Sequence, residues 1–112
     1  MFTIISTMTR PSTASAWWLD TPSLVAQSNI VKELQNDPLV ISMTQVESPD
    51  GLTLTRSFDY NSYNDYQNWI AKVTERDQTV FAERNQYIVN NGHTLKIEES
   101  LDGGPTVIEK QL

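Results

Sequence analysis

A single histidine, His93, is the one side chain of this sequence whose ordinary titration falls near neutrality, and it stands where a helical segment hands over to a strand. There it can serve as a general base or hydrogen-bond donor at a pocket mouth, or fill a surface turn. The remaining candidates are mostly aromatic: Trp17, Trp18, Tyr60, Tyr63, Tyr66 and Trp69 crowd into two stretches. Adjacent Trp17 and Trp18 cannot both enter one core from a single helix face. At least one belongs at a pocket lip, an interface or the surface, where indole offers rigid apolar area and one donor to an aromatic or fatty ligand. Tyr66 and Trp69 have helical spacing and fit a helix-to-sheet core. Two cations interrupt apolar patterns: Arg56 shares a strand side with Leu52, Leu54 and Phe58, and Arg84 falls in the stripe of Val80, Phe81 and Ile88. A buried arginine needs a partner, here Asp59, Asp77 or Glu83, or else a rim position for its snorkelling stem. The functional alternative is a carboxylate or other anionic ligand head.

The sequence excludes other chemistry. One histidine, no cysteine and no HExxH leave too few ligands for a dedicated metal site, so none is expected. No nucleophile elbow, P-loop or dinucleotide fingerprint is present, and no cofactor is expected; the only Gly pair, Gly103-Gly104, precedes Pro105 and not a helix. Fourteen acidic against eight basic residues give a net charge of -6, which disfavours nucleic acid and anionic membranes as partners. With 112 residues, 38% of them hydrophobic, the chain is expected to form one domain over 1–112 with an ordinary core. Met1 to Arg10 carries no basic leader before its apolar residues, so a cytoplasmic location is expected.

The elements that must position these residues follow from periodicity. Phe2 to Thr9 alternates and is β-branched enough for a strand, ended by Pro11. Within Ser12 to Asp37, Thr21-Pro22 looks like an N-cap and first helical position, with Leu24, Val25, Ile30, Val31 and Leu34 at helical spacings. Asn36, Asp37 and Pro38 stop that helix. Leu39 to Ser48 and Leu52 to Asp59 alternate around Ser48-Pro49-Asp50-Gly51 and predict a β-hairpin. Ser62 and Asp65 have capping-box spacing before Tyr66, Trp69, Ile70 and Val73. The stripe resumes from Val80 to Ile88, as one long helix or two with a break near Arg76 to Gln78. Asn91-Gly92 stops it, His93 to Leu101 is a strand, Asp102 to Pro105 turns, and Thr106 to Glu109 makes a short final strand.

The order β-α-β-β-α-β predicts an α+β, ferredoxin-like chain with a four-stranded antiparallel sheet and helices on one face. Such a sheet should alternate cleanly between apolar and polar sides. Here Ile5 opposes Phe2, Ile4 and Met8, and Val40 and Val46 oppose Leu39, Ile41 and Met43. A second copy packed sheet to sheet, an isologous homodimer, explains a second apolar face; strand ends tucked under loops explain it as well.

In element order, two-sided first strands and length, the chain resembles the dimeric α+β barrel superfamily over Phe2 to Leu101. That superfamily includes antibiotic-biosynthesis-type monooxygenases and stress-responsive barrel proteins. The resemblance implies a homodimer with a pocket between helices and sheet, and Pro105 to Leu112 at the partner's sheet edge. Haem-degrading members use an Asn on the first strand with a Trp and a His on the second helix. Trp69 matches, but the first strand offers Ser6, Thr7 and Thr9, and His93 lies far beyond the helix, so haem is not implied. Thr7, Trp17, Trp18, Arg56 and Arg84 are therefore the ligand-binding candidates, for a small, mainly apolar, aromatic or fatty acid-like molecule. The alternatives are a cofactor-independent monooxygenase using His93, Tyr66 or Trp69 on an aromatic or quinol substrate, and a structural or regulatory dimer without a ligand.

Overall fold

In the computed structural model, which describes Met1–Leu112, the β-branched run Phe2–Thr9 becomes β1, the middle strand of a five-stranded antiparallel sheet. Its neighbours are β3 (Thr53–Tyr60) and β4 (Thr94–Leu101), with β2 (Ser42–Glu47) and β5 (Val107–Gln111) at the edges, in the order β2-β3-β1-β4-β5. Helix α1 (Val25–Leu34) joins β1 to β2, while α2 (Tyr63–Arg76) and α3 (Val80–Asn90) lie between β3 and β4. This is the split β-α-β arrangement, in which parallel β1 and β2 flank an antiparallel β3.

Register explains the core. Phe2 sits opposite Tyr60, Ile4 opposite Phe58, Ser6 opposite Arg56 and Met8 opposite Leu54, so one set of alternate residues shares the helix-covered face. On β3 this gives a strict alternation of half-buried and buried residues. The helices close that face with Ile30 and Val31 of α1, Tyr66, Trp69 and Val73 of α2, and Val80 and Ile88 of α3.

The structure corrects three expectations and decides a fourth point that the sequence left open, the division of the region after Ser62. The sheet has five strands and not four, and the last pairs with β4 of its own chain, so Pro105 to Leu112 does not leave for another sheet edge. The region after Ser62 is two helices, because Asp77 is extended (φ -157°, ψ 115°) and its carboxylate accepts from both the amide and the hydroxyl of Thr79, at 2.8 and 2.7 Å. A side chain that satisfies a nearby amide competes with the helix ladder, and the helix stops there. Thr21 makes no side-chain cap; Pro22–Leu24 is a 3₁₀ turn and α1 starts only at Val25. Finally, β2 starts at Ser42. Asp37 accepts from the amide of Leu39 through its side chain (2.9 Å) and from that of Val40 through its carbonyl (2.9 Å), which holds both residues in a turn against the core.

That last point changes the uncovered face of the sheet. Thr3, Thr7, Thr9, Thr55, Ser57 and Asp59 occupy it, with Ile5, Val46 and Ile108 its apolar members. Val40 no longer belongs to it, so the second face is less apolar than alternation along the sequence implies.

Candidate functional site

Between the helix layer and the sheet lies a cavity of about 460 Å³. Its floor is built from inward positions of the central strands, Ile4, Ser6 and Met8 of β1, Arg56, Phe58 and Tyr60 of β3, and Ile97 of β4. Trp18, Val31 and residues of α2 and α3 form its walls, including Tyr66, Trp69, Phe81 and Arg84. Gln67, Ala82, Glu109 and Lys110 also line it and are exposed, so they mark the mouth. The volume is that of an ordinary small-molecule site, its lining mainly apolar but including the charged side chains Arg56, Arg84, Glu109 and Lys110.

Two of the three candidate catalytic residues meet there. Trp69 lies against Phe58 and Tyr60, at ring-centroid distances of 5.7 and 6.1 Å, and donates its indole N–H to the Leu34 carbonyl at the end of α1 (2.8 Å). The indole is thus a fixed wall whose only donor is spent on structure. Tyr66 projects from α2, where Ser62 caps the helix by accepting from the Asp65 amide (3.1 Å). Its hydroxyl donates to Glu109 of β5, 3.2 Å to Oε1 and 3.4 Å to Oε2. Burial first, and then the Glu109 charge, raise the Tyr66 phenol well above its ordinary range, so it stays protonated and acts as a donor. Burial likewise raises Tyr60.

His93 is elsewhere. It is buried, 5% exposed, at the α3 to β4 corner, which replaces the surface turn considered for it. Its Nε2 is 2.7 Å from Ser15 Oγ, its ring packs edge-on against Trp17 and Tyr87, and its buried Nδ1 has no partner. Burial, followed by the charge of Arg10, lowers its pKa. His93 does not line the cavity. With Tyr87, whose hydroxyl donates to the Ala16 carbonyl (2.6 Å), it fastens the segment after β1.

The two tryptophans divide. Both are buried, because Trp17 is extended while Trp18 opens a 3₁₀ turn, and neither sits on a regular helix face. Trp18 lines the cavity; Trp17 lines a separate cleft of about 290 Å³, with the Arg10 guanidinium 4.4 Å over its ring. Thr7 points to the uncovered face, opposite Thr55 and Lys96, and Ser6 takes the cavity position beside it.

Neither cavity arginine has the ion pair considered for it. Arg56, 5% exposed, donates from Nε to Gln45 Oε1 (3.1 Å) and from Nη2 to Gln35 Oε1 (2.7 Å), and lies 5.1 Å from the Phe58 ring centre. Asp59 cannot reach it, since residues three apart on a strand face opposite sides; it accepts instead from Thr3 (2.7 Å) and Ser42 (2.6 Å). Arg84 donates from Nε to Asn85 Oδ1 (3.0 Å) and lies 4.9 Å from the Phe81 ring centre. Burial lowers both guanidinium groups to about 10, so both remain charged at neutral pH. Sequence reasoning missed Gln67, Asn85, Glu109 and Lys110. Glu109 and Lys110 are adjacent and both line the cavity because the pairing of β5 with β4 shifts register between Ile97 and Glu98, a break in alternation that the sequence does not signal. No three His, Cys, Asp or Glu side chains cluster where they could hold a metal ion.

This fold and cavity define a ferredoxin-like α+β protein with an internal pocket. Two solved structures share the fold. One is a dimeric ferredoxin-like protein from an uncultured marine organism, 11% identical, with a TM-score of 0.60 over 93% of this chain and 96% of that one. The other is an antibiotic biosynthesis monooxygenase-type protein from Deinococcus radiodurans, 14% identical, with a TM-score of 0.57 over 98% of this chain and 100% of that one. No protein-family model matches the chain, and neither does any curated protein. No helix is long and apolar enough to cross a membrane.

Proposed function

We propose that the protein is a homodimer that binds a small, mainly apolar ligand in the cavity between its helices and sheet. The carrying observation is the 460 Å³ space itself, floored by Ile4, Met8 and Phe58 and walled by Trp18 and Trp69. A purely structural core would close such a space, since interiors pack to crystal-like density and a void forfeits dispersion contacts. Self-association is supported by the dimeric neighbour of the same fold, and by Ile5, Val46 and Ile108 on a sheet face that no helix covers.

Native mass spectrometry of the purified protein tests the ligand, and sedimentation tests the dimer. A bound apolar molecule, or saturable quenching of Trp18 and Trp69 fluorescence by naphthalene derivatives, supports binding. Absence of both across a broad apolar panel leaves the structural class. A monomer at micromolar concentration removes the dimer.

A second reading is a cofactor-independent monooxygenase, favoured by the Deinococcus neighbour and by Tyr66 and Trp69 on one cavity wall. It requires oxygen consumption with hydroquinones that falls in Trp69→Phe. Because His93 is off the cavity, His93→Ala should leave that consumption intact; its loss would reinstate the histidine as a catalytic residue.

A further inference from the structure

The cavity carries a charge imbalance. Its ionisable lining consists of three cations, Arg56, Arg84 and Lys110, against one carboxylate, Glu109, apart from the two tyrosines, which stay neutral. This occurs in a chain of net charge -6 with fourteen acidic side chains at its disposal. Both guanidinium groups are held by neutral amide oxygens, Gln35 and Gln45 for Arg56 and Asn85 for Arg84, and neither makes an ion pair. Amide acceptors fix the direction of a guanidinium without neutralising it, and an uncompensated charge in an apolar surround is costly unless something anionic arrives.

We propose that the ligand carries a carboxylate held by Arg84 near the mouth, with its apolar body lying inward against Trp18, Phe58 and Trp69. Arg84 is favoured over Arg56 because only its Nε is engaged within the protein, whereas Arg56 already spends Nε and Nη2 on two glutamines. A free pair of terminal nitrogens is the donor set that a carboxylate takes bidentately. Arg84 also lies within the charge field of Glu109, the one acid that competes for it. The inference rests on the cavity being a binding site.

The test compares matched probes, 2-naphthoate with 2-naphthylmethanol and decanoate with decanol, by tryptophan fluorescence and calorimetry at neutral pH and moderate salt. The carboxylates should bind at least about tenfold more tightly than the alcohols, as expected for a charge-assisted pair. Arg84→Gln should erase that preference by weakening carboxylate binding far more than alcohol binding, Arg84→Lys should keep part of it, and Glu109→Gln should tighten carboxylate binding a few-fold. Equal binding of acid and alcohol by the unaltered protein overturns the carboxylate assignment but leaves the pocket. No binding of any probe overturns the pocket as well. A preference that survives Arg84→Gln, or a parallel loss of acid and alcohol in a variant with native circular dichroism, removes Arg84 as the head-group residue.

Discussion

The Tyr66 hydroxyl on α2 donates to the Glu109 carboxylate on β5, joining the helix layer to the last strand of the sheet across the cavity mouth. All of β5 is exposed, and its sheet pairing is with β4 alone. That side-chain bond is therefore a main tether of the strand to anything other than its neighbour. An edge strand with so little buried area belongs to the low-stability end of a fold, and its opening is local.

Tyr66→Phe should loosen β5 without unfolding the rest. A neutral donor to a carboxylate at a wet mouth contributes about 1 kcal/mol or less. Hydrogen exchange at Val107–Gln111 is expected to accelerate several-fold, with the amides that pair β1 to β3 unchanged. Equal acceleration across both groups would mean that Tyr66 supports the whole core.

Arg56 separates charge from volume. Its aliphatic stem and guanidinium fill space beside Phe58, and its glutamine partners are not buried, so they can turn to water. Arg56→Met should keep stability within about 1 kcal/mol, because a desolvated charge is removed while its bulk is retained. Arg56→Ala should cost about 2 to 4 kcal/mol through the void it leaves. Urea unfolding at constant slope measures both; similar losses in the two variants would mean that the hydrogen bonds, and not the packing, matter.

His93 predicts a pH dependence of stability. Burial and Arg10 hold its folded pKa below the ordinary 6.5, so the unfolded chain takes up this proton at higher pH than the folded one. Stability from this residue is complete above about pH 6.5 and is lost as pH falls from there towards the lowered value. The carboxylates with depressed pKa values, Glu33, Asp37, Asp50 and Asp77, add their losses only below the usual carboxylate range. The urea midpoint should therefore drop between pH 7 and 5, and His93→Gln should flatten that slope. An unchanged slope in the variant would exclude His93 as its source.

Much of the fold was legible because its signals are local. The period of Phe2–Thr9, the Ser48 to Gly51 turn and the Ser62 cap depend on residues within a few positions of one another. An error arose where a side chain redirected the backbone, since Asp37 drew Leu39 and Val40 out of β2, and the same kind of contact at Asp77 decided between the one helix and the two that periodicity allowed. The destination of the last strand was also hidden, since either edge of an antiparallel sheet offers the same unpaired groups.

The sequence by itself determined the elements, their order and the candidates for the site, because periodicity and turn chemistry act over short spans. Only the tertiary structure decided which candidates meet. Tyr66, Trp69, Trp18, Arg56 and Arg84 converge on one cavity, while His93 and Trp17 pack elsewhere and Thr7 faces away. The physical reason is long-range register: pairing Ser6 with Arg56 sends both inward and Thr7 outward, and no property of β1 alone sets that pairing.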